Sequence, residues 1–208
     1  MNPKPHLVIT ISRELGCGGG YIGQQIAKKM NMYYADHEII TKAAEQLSAI
    51  ESEVAMHDEK MESFWKSFWI YSGGMSDAYI PFPHKFPPTS YDVFNAEAEV
   101  IKHIAQERAS VIIGRCGFYV LRNYPNRVSI FLHASASFRA KRVEELYHID
   151  ADEAAKIIAI SDKERGQYIS NFSGIAWPDA RQFNLCIDTE KTGIDRSVDL
   201  IMEYIKNF

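Results

Sequence analysis

The chain has 208 residues, 46% of them hydrophobic and 24% charged, with a formal net charge of −4. That composition supplies one sizeable core, and the acidic balance argues against a general affinity for duplex nucleic acid, so any polyanion must be met by a local cluster of Arg or Lys. The three cysteines, Cys17, Cys116 and Cys186, are odd in number and lack zinc-ligand spacing. With no signal-peptide core and no apolar run of membrane-spanning length, the sequence reads as a reduced, cytoplasmic protein.

Taken in chain order, "HLVITIS" (6–12) predicts a buried strand. A glycine-rich stretch follows, and then Ile22, Ile26 and Met30 recur at the spacing of a helix with one buried face. "MYYAD" (32–36) reads as a second short strand and "HEIITKAAEQL" as helix. Phe94, Ala98, Ile101 and Ala105 predict another helix, with Thr89 or Ser90 as its cap. "SVIIGR" (110–115) and "RVSIFLHA" (127–134) have the length and Val/Ile content of central strands. Helices are expected over about 136–147 and 151–165, the second opened by Asp150 and Glu153 in capping-box spacing. "FNLCIDT" (183–189) is the last expected strand, and the closing helix carries Ile194, Val198, Ile201 and Ile205 on one face.

Strands alternating with helices imply an α/β three-layer domain with a mostly parallel five-stranded sheet, whose ligands bind at the carboxyl ends of the strands. The glycine stretch, Asp36 and "GRCG" (114–117) all fall there. Residues 50–90, with "FWKSFWIYSGG" and "IPFPHKFPP", break the alternation. They read as an aromatic insertion or subdomain, an oligomer contact through which the chain forms a homodimer, or a flap over substrate. A lid is expected at about 148–180.

"SRELGCGGGYIG" (12–23) satisfies two motifs. Gly18, Gly20 and Gly23, with Glu38 further on, fit a dinucleotide fingerprint. "RELGC", however, intervenes between Ser12 and Gly18, which leaves room for a wider loop around a phosphate. Strand, wide loop and helix is the P-loop arrangement, in which successive backbone N–H groups hold the anion. A glycine-rich turn without ligand is the bland alternative.

Ordered in this way, "ITISRELGCGGGYIG", "YYADHEII", "VIIGRCGFYVLRNYPN", "FLHASASFRAKRV" and "FNLCIDT" resemble the cytidylate kinase-like proteins, a branch of the P-loop nucleoside monophosphate kinases. The resemblance implies that Gly16, Cys17, Gly18, Gly19 and Gly20 surround the phosphates of ATP. Asp36 and Arg115 would meet the acceptor, while Arg139, Arg142 and Arg165 would belong to the lid and its approach and act catalytically by stabilising the transferring charge. The sequence departs from the family pattern at three places. Gly19 stands for the P-loop Lys, Gly20 and Tyr21 stand for the Ser/Thr that would hold Mg²⁺, and Cys116 stands for the Asp of G-R-D.

Arg13, at the start of the loop, is the first candidate for the missing charge, because it can fold over phosphates and bind them bidentately. It also reads as a solvated loop residue. Arg115 could equally form an ion pair under its strand end, Arg139 and Arg142 a solvated helix face, and Asp36 a helix N-cap. No histidine pair has metal-binding spacing, so no protein metal site is expected and Mg²⁺ would arrive with ATP. The expected activity is ATP-dependent phosphorylation of a nucleoside monophosphate such as CMP or dCMP. The alternatives are a nucleotide-binding protein without transfer and a kinase for a non-nucleotide small molecule.

Overall fold

The computed structural model describes residues 4–36, 39, 42 and 90–208. Five strands, β1 (Val8–Arg13), β2 (Tyr33–Ala35), β3 (Ser110–Ile113), β4 (Arg127–His133) and β5 (Leu185–Asp188), form one parallel sheet in the order β2-β3-β1-β4-β5. Its helices are α1 (Gly19–Met30), α2 (Ser90–Glu107), α3 (Gly117–Val120), α4 (Ala136–Tyr147), α5 (Ala151–Ser173), α6 (Thr189–Thr192) and α7 (Ile194–Lys206), with one 3₁₀ turn at Ala180–Gln182.

The strands are apolar on both faces because both are covered. On one face Ile9, Ile11, Ile113, Val128, Ile130 and Leu132 pack against Ile22 and Ile26 of α1 and Val198 and Ile201 of α7. On the other, Val8 and Ile112 meet Ile101, Ile104 and Ala105 of α2. Two further clusters lie among the described residues. Leu15 packs with Val143, Ala154 and Ile158 between the glycine loop, α4 and α5. Phe118, Tyr168 and Ile169 sit among Phe94, Phe172, Trp177 and Phe183.

The predicted strands and main helices are present with shifted ends. Helix α5 continues beyond 165 because Tyr168, Ile169 and Phe172 give it a second buried stretch in the aromatic cluster; it stops at Gly174, in the left-handed conformation. Strand β5 starts later than expected, at Leu185; just before it Asn184 meets Ser129 twice, its side chain accepting the Ser129 N–H and its own N–H donating to the Ser129 carbonyl. It ends at Asp188, whose carboxylate caps α6 by accepting the Glu190 and Lys191 N–H groups. Asp150 caps α5 through the Glu153 N–H as its spacing implies. The expected helix after Asp36, the cap at Thr89 or Ser90, and the insertion at 50–90 lie outside the described residues, apart from Ile39, Lys42 and the first turn of α2.

Ile130 is fully buried in the central part of the core. Ile130→Ala is expected to lower unfolding free energy by about 2–5 kcal/mol, read from the urea midpoint at constant m-value.

Candidate functional site

The carboxyl ends of the strands bring Arg13, Asp36, Arg115 and the glycine loop to one edge of the sheet, with β1 at its centre. Between β1 and α1 the chain makes a wide loop, Glu14–Gly18, turning through left-handed Gly16 (φ 84°) and Gly18 (φ 83°), the second being the N-cap of α1. The helical ladder begins where the Ile22 N–H donates to the Gly18 carbonyl. The amides of the first turn therefore belong to the mouth of the loop, where an N-terminal helix dipole favours an anion.

The loop is held from outside. Arg142 Nε donates to the Gly16 carbonyl at 3.1 Å and Arg139 Nη1 to that of Leu15 at 3.4 Å. The Cys17 thiol and the Glu14 N–H both donate to the Leu132 carbonyl of β4. Arg139 is only 6% exposed and is paired twice, with Asp162 of α5 at 2.8 Å and with Glu14 at 3.3 Å. It is thus an internal brace linking loop, α4 and α5, where a solvated helix face was one expectation.

Arg13 runs along the opposite side of the loop. A Cβ on Gly19 would lie 2.7 Å from Arg13 Cγ, and one on Gly114 would lie 2.1 Å from Arg13 Nη1. The arginine stem therefore lies on the position where the resemblance puts the P-loop Lys. Its guanidinium reaches past the end of β3 to Asp36, 3.8 Å away, which also accepts the Tyr34 hydroxyl at 3.2 Å. A side chain at residue 19 and this path for Arg13 exclude each other. Arg165, from α5, donates to the Arg13 backbone carbonyl at 2.9 Å. Burial, and secondarily the charge of Arg13, pull its guanidinium down to about 10.

On the far side, Gly114, Arg115 and Cys116 form three successive left-handed residues with φ of 70°, 49° and 52°. For the two non-glycines this costs about 1–2 kcal/mol each. The Arg115 guanidinium lies 3.2 Å from Glu97 of α2, whose other oxygen accepts the Tyr168 hydroxyl from α5. Burial and the Glu97 charge raise Tyr168 well above the ordinary phenol value. The ion-pair alternative for Arg115 is therefore present in the structure, with a partner that the motif reading did not name. Its signal was available: Glu97 lies three residues after Phe94 and four before Ile101, on the apolar stripe of its helix. Asp162 and Glu14 gave no comparable signal.

Tyr21, at one of the places of the missing Ser/Thr, is 41% exposed and its hydroxyl donates to Asp195 at 3.1 Å. Among the described residues no group of three or more His, Cys, Asp or Glu could hold a metal ion. No described helix is long and apolar enough to cross a membrane.

A model of the cytidylate kinase-like family matches residues 8–191. A curated cytidylate kinase from Staphylothermus marinus is 26% identical over 98 residues, 47% of this chain and 55% of that protein. The chain thus spans about half the length of the curated relative it matches. Among solved structures, an uncharacterized protein from Eubacterium ventriosum has a TM-score of 0.70 at 22% identity, covering 98% of this chain and 100% of its own. Shikimate kinase from Bacteroides thetaiotaomicron has a TM-score of 0.53 at 16% identity, over 96% and 98%. At these identities the likeness concerns the fold, that of the P-loop kinases.

The Cys116 thiol is pushed up to about 12, first by burial and then by the Glu97 charge, while Arg115 acts in the opposite sense. At pH 8 only about one in 10⁴ of these thiols is ionised, too few for a nucleophile. Cys186 is exposed. Iodoacetamide at pH 8 is expected to label Cys186 in the native chain and to label Cys116 only in urea, as read by peptide mass spectrometry. Equal labelling of both in the native chain would contradict this environment.

Proposed function

Because the chain belongs to the cytidylate kinase-like family, we propose that it transfers the terminal phosphoryl group of ATP to a nucleoside monophosphate, with CMP or dCMP as the first acceptors to try. The observation that carries this reading is the course of Arg13, which lays its stem across Gly19 and its guanidinium against Gly114, between the glycine loop and Asp36. Phosphoryl transfer asks for little covalent help; it needs positioning and positive charge around the transferring group. Arg13 supplies that charge from the neighbouring strand end, where related loops use a lysine.

In this reading Gly16, Cys17, Gly18, Gly19 and Gly20 cradle the donor phosphates with their backbone. Arg115 and Asp36 hold the acceptor, which as a phosphate is already an adequate nucleophile and needs no general base. Arg165 adds charge beside Arg13. Arg139 and Arg142 hold the carbonyls of Gly16 and Leu15 away from the incoming phosphates. Their expected share in stabilising the transferred group requires them to exchange these contacts for phosphate oxygens as α5 moves. Mg²⁺ comes bound to ATP; Gly20 offers no hydroxyl for it and that of Tyr21 is turned to Asp195, so no step is assigned to a metal held by the protein. The same missing hydroxyl and lysine favour a second reading, a nucleotide-binding protein without transfer.

Calorimetry of ATP·Mg²⁺ and CMP, with ADP production followed in the same samples, separates the two. ADP that accumulates only with both ligands supports the kinase. Binding without ADP supports the second reading, and ADP formed only with a non-nucleotide alcohol moves the acceptor out of the nucleotide class. In the active case Arg13→Ala is expected to lower kcat roughly 10²–10³-fold, by analogy with loss of one preorganised charge-stabilising donor. Arg115→Ala is expected to act mainly on the KM for CMP.

A further inference from the structure

We infer that Glu97 is a positioning residue of the acceptor side: it aims the Arg115 guanidinium and, through Tyr168, ties that aim to helix α5. The inference rests on the reading of Arg115 as an acceptor ligand.

Glu97 is 2% exposed and is one of the largest fully buried side chains among the described residues. Carboxylates are almost never buried to this degree unless paired, and a buried ion pair is weak evidence for stability, since well-packed apolar groups of the same volume usually serve as well. A Leu or Met at this point of the apolar stripe would fill the space more simply. What the carboxylate adds is direction. Its two oxygens are used separately, Oε1 facing Arg115 Nη1 and Oε2 accepting the Tyr168 O–H.

The backbone restricts Arg115 in the same sense. The left-handed run from Gly114 to Cys116 is closed by the Gly117 N–H donating to the Gly114 carbonyl and the Tyr119 N–H to that of Cys116. This turn fixes where the arginine leaves the main chain, and Glu97 fixes where it ends. A planar guanidinium held at one nitrogen by a fixed carboxylate has a set orientation, which suits recognition of a phosphate or carboxylate. Tyr168 in turn holds the carboxylate. Being kept protonated by burial and by the Glu97 charge, it remains a donor throughout the neutral range.

An opposing effect makes the inference falsifiable by sign. If Glu97 merely neutralised Arg115, removing its charge would strengthen the binding of an anionic acceptor; if it aims Arg115, removal weakens that binding. In Glu97→Gln the Tyr168 donor keeps an acceptor while Arg115 loses its charged partner. By calorimetry, CMP affinity is expected to fall about tenfold or more, the range for a lost charged hydrogen bond, with ATP·Mg²⁺ affinity held within about twofold. Tyr168→Phe, which leaves the Arg115–Glu97 pair in place but frees Oε2, is expected to weaken CMP roughly threefold, again sparing ATP. Unchanged or tighter CMP binding in Glu97→Gln overturns the inference, and so does an equal loss for both ligands, the mark of a merely structural role. Should Glu97→Gln fail to fold, Tyr168→Phe decides, and unchanged CMP affinity there overturns it.

If the wild-type chain binds no CMP, the functional reading has failed, and a ligand-free measurement then decides this one. ¹⁵N NMR of the arginine side chains, with Arg115→Lys for assignment, is expected to show separate Arg115 Nη signals that merge in Glu97→Gln. Signals that are already merged in the wild-type chain, or unaffected by the substitution, overturn it.

Discussion

Guanidinium groups withdrawn from water must be paired, and the choice of partner shapes this site. Arg139 is buried against two acids, Arg115 against one, and Arg13 stands beside Asp36. Arg142 and Arg165 donate to main-chain carbonyls. A carboxylate holds a guanidinium in place and compensates its charge; a carbonyl holds it without compensating. Arg165 rests against a carbonyl, and its guanidinium is pulled down first by burial and then by the charge of Arg13, with Asp162 and Asp36 acting in the opposite sense. The edge of the sheet thus carries several positive groups held by different kinds of partner.

The glycines of the loop are explained by two different demands. Gly16 and Gly18 turn the backbone; Gly19 and Gly114 leave room for Arg13. The absence of a lysine at residue 19 and the presence of an arginine at residue 13 are one structural fact, because the two side chains would occupy the same space. A charge-bearing loop of this kind can be built from the helix end or from the strand end, and this chain is built from the strand end.

The sheet was legible because fully covered parallel strands leave short Val/Ile runs that end in Gly or Asp, as in "SVIIGR" and "FNLCIDT". The glycine loop was legible because its spacing excluded a tight turn. The short helices at Gly117–Val120 and Thr189–Thr192 were not, since four residues give no period to read. The arginines were visible as residue types, but their partners were not. Asp162 lies 23 positions from Arg139, and Arg165 lies 152 from Arg13. Contacts at such separations are set by the packing of α5 over the site, for which local sequence carries little signal. Glu97 is the exception, a charged residue in an apolar stripe, which local pattern alone marks as unusual.

Helix α5 runs without a break from Ala151 to Ser173, a stiff rod of about 34 Å at 1.5 Å per residue. Within two turns it touches Arg139 through Asp162, the main chain of Arg13 through Arg165 and Glu97 through Tyr168. A rod pinned at three points so close together has no hinge between them. It can slide, roll or lift away, but any of these displaces all three contacts in the same stroke. In the proposed reaction the two substrates would then face a single leaf that opens and shuts as a whole, so that the chamber is dry for both or for neither.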